Sequence, residues 1–82
     1  MKKNASNFLV LFGKNIAAKR KEKGLSQEKL SFDSGLDVMT ISRIERGLLN
    51  ISVVNMVKIA VVLNIHPKEF LEIDFNFKKI NE

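Results

Sequence analysis

The sequence has no cysteine, one histidine, one proline and four glycines. Without cysteine there is no disulfide framework and no thiolate metal site, which fits a reducing compartment. The single histidine, His66, leaves no clustered metal ligands and no base beside a nucleophile. The chain is therefore read as not an enzyme, with no catalytic residues, no cofactor, no metal and no small-molecule ligand expected. Long apolar runs are missing as well. The opening "MKKNASNFLVLFGKN" carries only five consecutive apolar residues, Phe8 to Phe12, before Gly13 and Lys14, too few for a secretory core. The other apolar stretch, "VVNMVKIAVVLNI", is interrupted by Asn55 and Lys58 and is well short of the roughly 20 residues of a membrane span. The expectation is a cytoplasmic protein with no membrane partner.

At 82 residues the chain is one domain's worth, and a second domain for sensing a ligand does not fit. A chain of this size removes only roughly 60 to 65% of its unfolded surface from water. With no disulfide to compensate, either the core is compact and helical or a partner subunit completes it. Fourteen Lys and Arg against nine Asp and Glu give a net charge of +5. Residues 1 to 29 hold eight of those cations against Glu22 and Glu28, whereas residues 30 to 82 are close to balance. A basic N-terminal third suits a nucleic-acid backbone or an anionic surface. An ordinary solvated helix explains "KRKEK" about as well.

No repeat or low-complexity segment appears, and the glycines and the proline divide the chain into five expected helical pieces. The first runs from about Ser6 to Lys23, with Phe8, Leu9, Phe12 and Ile16 on one stripe and Gly24 as its stop. Ser26 caps the second, about two turns long, with Lys29 where a capping box would want Glu; Gly35 ends it. Asp37 caps the third, which runs to Arg46 with Gly47 as its stop. Ser52 caps the fourth, whose apolar positions cover more than one face and so suggest burial on two sides. Pro67 opens a short fifth helix behind His66, at the position where its missing N–H costs nothing. In the tail "IDFNFKKI", Ile73, Phe75 and Phe77 alternate with polar residues, the pattern of a half-buried strand. Such a strand would pair with its copy in a second subunit; the plainer reading is a tail tucked against the core. The division expected is a domain over 1–72 and a tail over 73–82 that is a candidate dimerisation strand.

Two short helices joined by "SGLD" have the form of a helix-turn-helix. The residues are more specific than the spacing: "SQEKL", "ISRIERG" and "KIAVVLNI" in combination closely resemble the lambda-repressor and Cro superfamily, or XRE family, over Phe12 to about Phe70. The resemblance implies an all-α, five-helix DNA-binding domain, usually a homodimer on a palindromic operator in double-stranded DNA. On the third helix, Ile41 centres the core face, Ile44 and Glu45 flank it, and Met39, Ser42, Arg43 and Arg46 point away, with Val38 and Thr40 on the borders. Val38, Met39, Thr40, Ser42 and Arg43 are thus the candidates for base edges: Arg43 for guanine, Val38, Met39 and the Thr40 methyl for thymine methyl groups. Many relatives carry longer polar side chains where this sequence has "VMT", which shifts weight to Arg43, apolar contact and DNA shape. Phosphate contacts are expected from Ser26, Gln27, Arg46, Asn50 and Ser52. Relatives often have proline between Asn50 and Ser52, where this chain has Ile51. Lys14, Lys19 and Lys21 add diffuse attraction.

Glu45 lies on the buried side of its helix and needs a partner. Arg20, one turn beyond Ile16, is the expected one; the resemblance implies the same pairing, and only arginine offers a planar fork for a carboxylate. The dimer interface is expected on Phe70, Leu71, Ile73, Phe75 and Phe77, more apolar surface than so small a chain should leave wet. The function expected is a sequence-specific transcriptional regulator, a repressor or controller. Small phage repressors, restriction-modification controllers and antitoxins share this domain. The competing class is a protein-interaction adaptor that keeps the fold with weak or secondary DNA binding.

Overall fold

The structure, a computed structural model, describes residues 3–76 and 78. Among these there are four α-helices, one 3-10 turn and no strand: α1 (Lys3–Glu22), α2 (Gln27–Ser34), α3 (Val38–Glu45), α4 (Val53–Leu63) and the turn Pro67–Leu71. The all-α class follows from the sequence pattern directly. Each helix after the first starts on a side chain that accepts a hydrogen bond from an otherwise unpaired backbone N–H. Ser26 accepts from Lys29, Asp37 from Met39, Ser52 from Asn55, and His66 Nδ1 from Lys68.

Three boundaries differ from the sequence reading. Helix α1 starts at Lys3, because nothing from Lys3 to Ser6 breaks a helix. The fifth helical segment is a 3-10 turn of five residues, closed by Glu69 N–H to the His66 carbonyl at 3.0 Å, too short to settle into α geometry. Residues 73–76 form no strand: Ile73 packs on the core, and the Phe75 ring meets Phe8 edge-on with centroids 5.3 Å apart. Phe77 lies outside the described residues.

The core takes Phe12 and Ile16 from α1, Leu30 from α2, Ile41 and Ile44 from α3, Ile59, Ala60 and Leu63 from α4, and Phe70 from the turn. Phe70 is fully buried, with its ring edge-on to Phe12 at 6.5 Å. Its expected place in a dimer interface is therefore corrected: the side chain closes the subunit's own core. No described helix is long and apolar enough to cross a membrane.

Candidate nucleic-acid interface

The turn between α2 and α3 is fixed by local polar contacts. Gly35, at φ 77°, ends α2 in the left-handed region that a side chain disfavours. Ser31 Oγ donates to the Leu36 carbonyl at 2.5 Å, and the Leu36 N–H donates to Ser34 Oγ at 3.2 Å. Leu36 itself packs on the core, so the chain enters α3 at a set angle.

Helix α3 divides cleanly by side. Ile41, Ile44 and Glu45 are buried, Thr40 and Ser42 are half-buried, and Val38, Met39, Arg43 and Arg46 are exposed. The carboxylate on the inner side is fully matched. Arg20 donates from Nε to Glu45 Oε2 at 2.7 Å and from Nη2 to Oε1 at 3.0 Å, while its Nη1 holds the Leu25 carbonyl at 2.7 Å. The hydrogen bonding to Glu45 pushes the Arg20 pKa further above its already high ordinary value, against the opposing effect of burial and with added attraction from Glu45 and Glu28. One arginine thereby joins α1 to both the α1–α2 loop and the end of α3.

Two features of this junction were not visible in the sequence reading. Gln27, expected to meet phosphate, donates its Nε2 to Glu45 Oε1 at 2.9 Å. Its amide is thus turned toward the ion pair, and the start of α2 is tied beside the end of α3. Gly13, read only as an interruption of an apolar run, lies under the α3 backbone. A Cβ there would strike the Ile44 carbonyl oxygen and come within 2.8 Å of the Glu45 oxygen. A glycine inside a helix costs about 1 kcal/mol against alanine, and that cost was the available signal of a close approach. Gly47 is its counterpart, at φ 75° with Val10 directly beside it, and it closes α3 through its N–H to the Ile44 carbonyl.

The outward groups are less engaged. The Arg43 side chain makes no hydrogen bond or ion pair among the described residues, so its guanidinium donors are available. Arg46 bends back to donate Nε to the Ser42 carbonyl at 3.3 Å. Ser26 and Ser52 each use a lone pair in capping, which leaves the hydroxyl hydrogen for a phosphate oxygen. Asn50 is exposed in the loop between α3 and α4. Lys14 and Lys21 are exposed, whereas Lys19 turns to Glu69 at 3.6 Å. No group of three or more metal-ligating side chains occurs among the described residues.

The profile of the family HTH_3, Helix-turn-helix, matches residues 16–70. The chain is 41% identical over 68 residues to Control protein C.BamHI of Bacillus amyloliquefaciens, covering 82% of this chain and 84% of that one. It is similar to the crystal structure of the restriction-modification controller protein C.AhdI from Aeromonas hydrophila, with 48% identity, a TM-score of 0.74, and coverage of 76% of this chain and 94% of that chain. It is also similar to the hypothetical transcription factor NHTF from Neisseria, at 33% identity and a TM-score of 0.73, over 80% of this chain and 75% of that chain. With the profile spanning most of its length and two helices meeting at the turn described above, the chain belongs to the helix-turn-helix family HTH_3, the XRE-type class of DNA-binding transcriptional regulators.

Proposed function

We propose that this chain binds a palindromic operator as a homodimer, α3 of each subunit entering the major groove, and that it acts as a controller of the kind represented by C.BamHI and C.AhdI. The observation that carries the reading is the split of α3. Its inner side is locked by Arg20, Gln27 and Gly13, while its outer side presents the Arg43 guanidinium with no partner among the described residues. Arg43 is assigned to a guanine edge, Val38, Met39 and Thr40 to thymine methyl groups, and Ser42 to a further base edge. Ser26, Arg46, Asn50 and Ser52 take phosphates. Gln27 adds its backbone N–H at the start of α2, its side-chain amide being held by Glu45.

Selection of bound sequences from a random DNA pool tests this, followed by anisotropy titration at two salt concentrations. The reading expects an inverted repeat with half-sites about one helical turn apart, and a salt slope of about −0.9 per phosphate neutralised. Enrichment of no common sequence, with weak binding of every duplex, would instead favour an adaptor that keeps only the fold.

A further inference from the structure

The first turn of α3 presents apolar surface where a reader of base edges needs hydrogen-bonding groups. Val38 and Met39 are exposed, and neither is part of the core cluster or among the described side chains packed on it. Packing within the subunit does not account for them. Helix propensity does not account for Val38 either, because valine is a poorer helix former than alanine or leucine.

The rest of this side is informative for what it lacks. From Val38 to Arg46 the exposed and half-buried positions hold Val38, Met39, Thr40, Ser42, Arg43 and Arg46, with no Asn, Gln, Asp or Glu among them. Asp37, just before, caps the helix through the Met39 N–H. An amide is the group that pairs with adenine, and a carboxylate is the group that accepts from cytosine N4. The hydroxyls of Thr40 and Ser42 donate or accept equally well, so they do not separate the thymine O4 from the cytosine amine. Two discriminations remain: the presence of a methyl group on a pyrimidine, and a guanine.

Thymine and 5-methylcytosine carry the same methyl group at the same place in the major groove, whereas uracil and cytosine carry none. A surface with apolar contacts and no acceptor for N4 senses that methyl and is indifferent to the group at C4. Arg43 supplies the neighbouring contact. It follows Met39 by four positions on the same side of the helix, and helical side chains lean back over the preceding turn, so the two address adjoining base pairs. Its guanidinium has no partner among the described residues, and its paired donors match guanine O6 and N7.

We propose that α3 reads a C5-methylated pyrimidine beside a guanine, and that it accepts 5-methylcytosine in the place of thymine. Methylation of the target at cytosine C5 then raises the affinity of this chain. The proposal rests on the operator reading above and names the chemical mark to which that site responds.

Two selections from random DNA test it, one pool made with cytosine and the other with 5-methylcytosine throughout. The ordinary pool should yield thymine beside the guanine of each half-site, and the methylated pool should yield thymine and 5-methylcytosine there alike. Titrations of the full chain then compare four duplexes that differ only in that base pair, carrying thymine, uracil, 5-methylcytosine or cytosine. Thymine should bind about fourfold more tightly than uracil, and 5-methylcytosine about fourfold more tightly than cytosine, for each methyl buried. Val38→Ala with Met39→Ala should bring both ratios toward one while the helical circular dichroism persists, since both positions are on the surface and alanine favours a helix. A common motif with 5-methylcytosine bound no better than cytosine overturns the proposal and leaves the operator reading standing. Ratios unchanged in the double-alanine variant overturn it as well. Enrichment of no common sequence from either pool would overturn the operator reading and this proposal together.

Discussion

Glu45 takes the two arms of the Arg20 fork on separate oxygens, at 2.7 and 3.0 Å, and one of those oxygens also receives Gln27. Replacing Glu45 by alanine strands a nearly buried guanidinium, which costs about 3 kcal/mol or more. The urea midpoint of Glu45→Ala should fall accordingly; a midpoint equal to the parent's would show that the pair holds nothing. The pair also has a definite pH signature. The Arg20 pKa is raised on folding, so the stability it adds is complete below arginine's ordinary value and is lost only as pH climbs through the folded one. The contribution of Arg20 to stability is therefore constant across the neutral and mildly alkaline range.

Gly13→Ala sets two effects against each other. Alanine improves helix propensity by about 1 kcal/mol, but its methyl group meets backbone carbonyls of α3 that cannot rotate away. Overpacking of this kind costs about 1–3 kcal/mol, and here it also forces α1 and α3 apart. The expected outcome is a net loss of stability with weaker DNA binding. A thermal midpoint above that of the parent would refute the close contact.

Gln27 should act as a positioning residue. Gln27→Glu places a second carboxylate on Glu45 and draws on the same arginine, so it should lower both stability and operator affinity. Gln27→Ala only removes one hydrogen bond and should cost about 1 kcal/mol. Equal effects of the two substitutions in urea titrations would argue against the contact.

Most of this architecture is legible in the residues, because the helices after the first are marked by caps that act locally. Ser26, Asp37 and Ser52 cap where the pattern expects, and Ile41, Ile44 and Glu45 fall on one side of α3 by angular spacing alone. Arg20 is identifiable since a carboxylate on that side demands a fork. What the pattern does not carry is non-local. Gly13 matters only because α3 crosses above it, and Gln27 reaches Glu45 across 18 positions of chain. The tail misleads for the same reason: its alternation fits a strand, yet Ile73 and Phe75 find cover on their own subunit. Likewise the surplus of apolar positions on α4 was visible, but which of them the core would take was not.

Arg43 and Arg46 should separate in DNA binding. Arg43→Ala should lose about 1–3 kcal/mol at one base pair and relax the preference there, while Arg46→Ala should weaken all duplexes alike and reduce the salt slope by about 1. Titrations of both variants against the selected operator and single-base changes decide it. Equal losses on every sequence for Arg43→Ala would remove it from the base-reading set.

Met39, at 55% exposure, and Val38 beside it have only apolar surface to offer a base. Replacing thymine by uracil in each half-site deletes the methyl group and nothing else. Binding should drop by about 0.8 kcal/mol per methyl buried, and Met39→Ala should make the protein less sensitive to the exchange. Indifference of the unaltered protein to uracil would mean that these side chains meet no thymine.

The two ends of α3 are held unequally. At its end, a glycine contact, a three-residue polar junction and the Gly47 turn fix the backbone, whereas at its start the hold comes from the α2–α3 turn and the long Asp37 cap of 3.4 Å, outside the side chains that point outward. Substitutions at Val38, Met39, Thr40 and Arg43 therefore leave the folding determinants untouched. A duplicated gene could drift to a new target through those few codons without passing through an unfolded ancestor, and two such copies in one cell could become insulated regulators on an unchanged body.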